Sequence, residues 1–234
     1  MFEIFASLEI AFRLIVGIDA ELWGIVALSL ELSLVAAFLG SLAGLPLGAI
    51  VGIARFPGRR ALIVFLNAML GLPSVVVGLV IYLLLSRAGP LGEMGLLFTP
   101  KAIVLAQAVL VVPIVAALTR QVIEDAWGEY SEQLRSLGAG TANAVRTLLW
   151  DTRYTLFTVA LAGFGRAASE VGAVMVVGGN IEGVTRVMTT AIALETSKGD
   201  LPLALGLGVI LIATVLAVNA AAYAIREWSL RRHG

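Results

Sequence analysis

The strongest constraint on this chain is a series of five long apolar stretches, at 22–53, 61–86, 102–122, 154–179 and 201–225, separated by polar intervals. A hydrocarbon core of about 30 Å is crossed by roughly 20 helical residues, because a helix bonds its own backbone polar groups where no water is present. Each stretch meets that length. The sequence therefore predicts an all-α integral membrane protein with five transmembrane helices, forming one domain over 1–234. The first stretch exceeds what a span requires and should tilt or project beyond the bilayer. Composition agrees: 59% of the 234 residues are hydrophobic and 14% are charged, against about 25% charged in soluble domains.

Residues 1–20 read differently. Phe5, Leu8, Phe12 and Ile15 recur at helical spacing, while Glu9 and Arg13 form an i,i+4 pair on another face. No basic leader region or small-residue cleavage site precedes them, so the segment is expected as an amphipathic helix in the membrane interface, with a sixth span as the alternative.

Basic residues near span ends set orientation. One side collects Arg55, Arg59, Arg60, Arg120, Arg135, Arg146, Arg153, Arg226, Arg231 and Arg232; the other holds only Arg13, Arg87, Lys101, Arg186 and Lys198. The N-terminus is thus expected outside and the C-terminus in the cytoplasm.

Several chemistries lack their parts. There is no cysteine and a single histidine, His233, which removes thiolate sites, zinc clusters and Ser-His triads. Lysine plus arginine equals aspartate plus glutamate at 16 each, so no basic excess points to nucleic acid. Gly163-Phe-Gly165-Arg-Ala-Ala168 matches a dinucleotide fingerprint but lies inside an apolar span. Neither lysine completes a P-loop, so ATP, if used, is hydrolysed on another subunit.

Within the spans, Gly40, Gly44, Gly48 and Gly52 share one helix face and would let a second helix approach closely. Pro46, Pro73 and Pro113 each interrupt one of the first three stretches, as kinked helices lining a path would require. Glu31, Arg166 and Glu170 are ionisable groups at membrane depth. Arg166 and Glu170, four residues apart, admit two readings: an internal ion pair, or, with Ser169, a group facing the pathway or a subunit contact.

The interval 123–153 is too polar to span. Leu134 and Leu137 end one helical run, Gly138 supplies a C-cap, and Thr141 is placed to N-cap a second run bearing Ala142, Val145, Leu148 and Leu149 on one side. Two short helices around a glycine would form a docking knob on the cytoplasmic face.

Glu132-Gln-Leu-Arg-Ser-Leu-Gly138-Ala-Gly-Thr resembles the "EAA" motif of binding-protein-dependent ABC importer permeases, with Gln133 and Leu134 in place of two alanines and Leu149-Trp150 where the family usually has Leu-Pro. Phe164-Gly-Arg-Ala-Ala-Ser-Glu170-Val-Gly-Ala173, with Gly178-Gly-Asn180-Ile, is similar to the fourth-span signature of molybdate, sulfate and tungstate permeases. Thr185-Arg-Val-Met-Thr-Thr190-Ala-Ile-Ala-Leu-Glu-Thr-Ser-Lys-Gly-Asp200 looks most like the tungstate-type branch.

The resemblance implies a type I ABC importer permease fold in a prokaryotic inner membrane, two copies of the chain, two ATPase subunits that bind the ATP, and an extracytoplasmic binding protein delivering an oxyanion. It implies no cofactor on this chain. Glu132, Arg135, Gly138, Ala139 and Thr141 would couple to the ATPase. Arg166, Ser169, Glu170 and Asn180 would belong to the gate or path; Thr189 and Thr190 would either meet the oxyanion or cap an outer helix. Tungstate is the expected substrate, molybdate or sulfate the alternative. A passive channel, or a scaffold recruiting a cytoplasmic partner, is the reading from another class.

Overall fold

The computed structural model describes Gly17 and residues 20–233, with the side chains of 222 and 225–233 outside that set; the expected interfacial helix over 1–20 lies outside the described residues. The described chain is helical throughout, in the order α1 (Ala20–Ile53), α2 (Arg59–Leu70), α3 (Ser74–Leu85), a short 3-10 turn (Gly92–Met94), α4 (Pro100–Ser136), α5 (Thr141–Asp151), α6 (Arg153–Ala168), α7 (Gly172–Gly178), α8 (Met188–Lys198) and α9 (Leu201–His233). By length and apolarity α1, α4 and the 201–221 part of α9 can cross a membrane unaided; α2 with α3, and α6 with α7, qualify only as broken pairs.

Three expectations change here. The second and fourth apolar stretches are not continuous helices: one breaks between Leu70 and Ser74, the other between Ala168 and Gly172. At the first break Gly71 and Pro73 flank the interruption, and proline disfavours helical backbone in the residue before it. Pro46 and Pro113, by contrast, sit inside α1 and α4, which continue past them. The third stretch does not end near 122: α4 runs on through the polar residues to Ser136, so the first "short helix" of the 123–153 interval is the tail of a 37-residue helix.

The chain forms two compact units, one of residues 1–35, 73–107 and 167–219, the other of 36–72, 108–166 and 220–234. In the first unit, Leu22, Ile25 and Val26 of α1 pack with Met188 and Ala191 of α8 and with Leu207 and Ile210 of α9. The α3 and α7 helices lie in contact: a Cβ on Gly78 would stand 2.7 Å from the Ala173 Cα, and one on Gly172 would stand 2.6 Å from Val75 Cγ2.

The second unit is organised by the glycine stripe. A Cβ on Gly44 would lie 2.8 Å from Val115 Cβ, and one on Gly52 would lie 3.0 Å from Ile123 Cγ2, while Gly40 and Gly48 face Val111 and Thr119. Both series advance in steps of four in the same direction, so these stretches of α1 and α4 run parallel with their backbones close. That is the packing expected from four small residues on one face. Where α1 ends, Arg59 turns back: its Nε donates to the Val51 carbonyl at 2.8 Å, and its guanidinium pairs with Glu124, which also pairs with Arg120. Arg59 thereby satisfies a helix-terminal carbonyl that has no partner within the helix.

Candidate functional site

Two groups of residues singled out in the sequence can be located: the first lies in the second unit, and of the other group Arg166 belongs to the second unit while Ser169, Glu170 and Asn180 belong to the first. The first is the polar end of α4 with α5. Glu132 and Arg135 are exposed in the last turns of α4, and the Arg135 guanidinium lies 5.5 Å from the Trp127 ring centroid. The helix stops because Gly138 adopts φ 70, a left-handed conformation that favours glycine. The Gly138 N–H donates to the Arg135 carbonyl at 2.9 Å and the Ala139 N–H to the Leu134 carbonyl at 2.9 Å, so the last α4 carbonyls are satisfied. Leu134 is half-buried, whereas Leu137 is exposed.

The N-cap of α5 is Gly140, not Thr141. Thr141 is the first helical residue and exposed, and the Gly140 carbonyl accepts the Ala144 N–H at 3.0 Å. Ala144 and Leu148 bury the inner side of α5 against Ala49 and Ile53 of α1 and Ile123 and Ala126 of α4, with Val145 and Leu149 packed at the edge. Ala142 is exposed, so the buried side is set by positions 144 and 148. This leaves Asn143, Arg146, Thr147 and Trp150 outward, beside a groove of about 910 Å³. The sequence pattern places Ala142, Val145, Leu148 and Leu149 on the apolar side of this run; the structure replaces Ala142 by Ala144 there and keeps the other three, which leaves the polar face opposite. Arg153 secures the end of α5 by stacking 4.7 Å from the Trp150 ring centroid and donating to the Trp150 carbonyl at 2.7 Å.

The second group surrounds the break after α6. Arg166 stands half-buried in the last turn of α6; Ser169 is exposed; Glu170 is buried. The helix ends at Ala168 and restarts at Gly172, so Arg166 lies on α6 and Glu170 in the break that follows it. The Glu170 carboxylate accepts the Ala173 N–H at 2.9 Å, satisfying the start of α7, and its main-chain carbonyl accepts the Thr189 hydroxyl at 2.7 Å. On the other side of the break, Gln107 donates Nε2–H to the Ala167 carbonyl at 2.9 Å.

Sequence reasoning missed Gln107, whose one signal is an amide in the middle of an apolar run. Asn180, at φ 51, follows the left-handed Gly179, and its Nδ2 reaches the Thr190 carbonyl at 3.5 Å. Thr190 exchanges 3.1 Å contacts with the backbone of Val187 at the start of α8, whereas the Thr189 hydroxyl goes to the Glu170 carbonyl in the break before α7.

The family described as binding-protein-dependent transport system inner membrane component matches residues 44–233. The chain belongs to this family. Among the permease's relatives, the tungstate uptake system permease protein TupB of Peptoclostridium acidaminophilum is 41% identical over 217 residues, covering 93% of this chain and 95% of the relative. A probable anion ABC transporter permease protein of Haloferax volcanii is 38% identical over 90% of this chain and 93% of its own length. The sulfate transport system permease protein CysT of Salmonella typhimurium is more distant, at 28% identity over 84% of this chain and 77% of its own length. The chain is thus an ABC-type transport permease, a multi-pass membrane protein.

Proposed function

We propose that this chain is the membrane subunit of an ATP-driven tungstate importer. The observation that carries the substrate is 41% identity to a tungstate uptake permease across nearly the whole of both chains. The mechanistic reading is supported by the packing of α5, whose buried side holds the ends of α1 and α4 together. Five crossings follow if each broken pair counts as one span, with the N-terminus outside and the C-terminus cytoplasmic. The chain works as one permease domain in two copies, with two ATPase subunits below and a binding protein above, against the 180–200 segment.

The coupling step is then mechanical. A push on α5 moves Ala144 and Leu148, and these press directly on α1 and α4. Glu132, Arg135, Gly138, Ala139 and Thr141 form the link between α4 and α5, and the outward face of α5 receives the ATPase. Arg166, Ser169 and Glu170 stand at the break in the fourth span and Asn180 just past the end of α7, and this stretch would serve as the hinge between inward-facing and outward-facing states. ATP and the loaded binding protein must each favour one of these states to drive the cycle.

The test is co-reconstitution with the cognate ATPase and binding protein, measuring ATP hydrolysis with tungstate, molybdate or sulfate loaded. Stimulation by tungstate alone is expected. Equal stimulation by molybdate or sulfate overturns the substrate, and anion flux without ATP overturns the importer in favour of a channel.

A further inference from the structure

At the end of α1 the chain carries three arginines close together, and they are not equivalent. Arg59 is consumed internally by the Val51 and Gly52 carbonyls and by Glu124. Arg55 and Arg60 are exposed and take part in no ion pair among the described residues. A cavity of about 430 Å³ is lined by Arg55, Phe56, Gly58, Arg59 and Arg60, with no acidic side chain in its wall. That size falls within the range of small-ligand sites.

What continues from the cavity is apolar. On α2, Arg60 is followed on the exposed side by Ala61, Val64, Phe65 and Ala68, with Val64 67% and Phe65 57% exposed. Phe56, at the other side of the arginines, is also exposed. An exposed guanidinium at the head of an exposed apolar helix face has the arrangement of a side chain held at headgroup level above acyl chains. Guanidinium groups pair bidentately with phosphate oxygens, and basic pockets at the cytoplasmic end of spans recognise anionic headgroups.

We propose that Arg55 and Arg60 form a binding site for the phosphodiester headgroup of an anionic phospholipid, whose acyl chains lie along the Val64 and Phe65 face of α2. The site rests on the proposed orientation, which puts Arg55 and Arg60 at the cytoplasmic headgroup level, and stands apart from the assignment of tungstate. Its readout is lipid retention rather than transport, which keeps its failure distinct from failure of the importer reading.

The experiment uses the full permease–ATPase complex in mild detergent, titrated with phosphatidylglycerol or phosphatidylcholine and read by native mass spectrometry. Retention of phosphatidylglycerol over phosphatidylcholine is expected. Arg55→Gln with Arg60→Gln should weaken phosphatidylglycerol retention roughly thirtyfold, from the combined attraction of two surface arginines. Arg60→Gln alone should give an intermediate loss, and provides the test if the double variant assembles poorly. Equal retention of the two lipids, or unchanged phosphatidylglycerol binding in these variants, overturns the site. Displacement of the lipid by millimolar inorganic phosphate would mean a free-anion site instead. Dissociation of the ATPase from the Arg60→Gln complex would assign this surface to the partner subunit, and also overturns the proposal.

Discussion

Replacing Gly48 by alanine tests the close approach of α1 and α4 with one methyl group. The added Cβ would stand 2.7 Å from Thr119 Cβ and 3.0 Å from the Arg120 backbone nitrogen, and it would also press on the Ala116 carbonyl oxygen. Ordinary contact begins near 3.4 Å, so the helices would have to separate by more than about 0.7 Å, since the Ala116 carbonyl oxygen stands closer still and, being backbone, has no side-chain freedom to yield. Overpacking of this kind costs about 1–3 kcal/mol. Alanine also returns about 1 kcal/mol of helix propensity relative to glycine, so the net loss is about 0–2 kcal/mol.

Gly128→Ala isolates the two effects. It lies in the same α4, and nothing stands within 4 Å of its would-be Cβ, so it should gain the propensity without the clash. The difference between the variants is therefore the overpacking cost itself, about 1–3 kcal/mol. Reversible unfolding in mixed detergent micelles measures it, with Gly48→Ala the less stable of the two. Equal stability, or a more stable Gly48→Ala protein, would refute the parallel helix contact.

Gly138→Val meets no neighbour but must hold φ 70, which costs roughly 1–2 kcal/mol for a side chain on that backbone and more for a branched one. The protein should insert normally yet transport less substrate per ATP hydrolysed in proteoliposomes; an unchanged ratio counts against the coupling role. Glu124→Gln leaves Arg59 and Arg120 without their shared carboxylate. Since Glu124 is 31% exposed, the expected loss is about 1–2 kcal/mol rather than that of a fully buried pair, read as a lower unfolding midpoint in detergent. Gln107→Leu removes the donor to the Ala167 carbonyl and should cost about 1–3 kcal/mol, and an unfolding curve matching wild type would show that this bond does not hold the break.

Much of the segment from Glu132 to Leu149 was legible in residue order because its signals are local. Gly138 ends α4 in a left-handed turn, as a glycine after a helical run should, and a second helix follows it. The N-cap was misplaced by one residue, since a threonine and a glycine are adjacent and only the backbone conformation chooses between them. The break at 169–171 was not legible. Arg166, Ser169 and Glu170 fit a helix pattern well, and the carbonyls at the break are met by groups distant in sequence, Gln107 donating to Ala167 and Thr189 to Glu170, while the Glu170 carboxylate accepts the Ala173 N–H at the start of α7.

The sequence by itself determined that this chain enters a membrane as helices, because long apolar runs leave the backbone no other way to satisfy its polar groups. It also determined that a second helix could approach the 40–52 face closely, because four glycines in steps of four permit an approach that larger residues forbid; that α4 is this helix was decided by the tertiary structure. Tertiary structure alone decided where those helices stop, break or continue. Apolarity reports the surroundings of a segment, whereas continuity depends on which side chains accept or donate the hydrogen bonds that a break exposes. The same holds for α4, which passes from apolar to polar surroundings without interruption because Ile123 and Ala126 remain buried against α1 and α5.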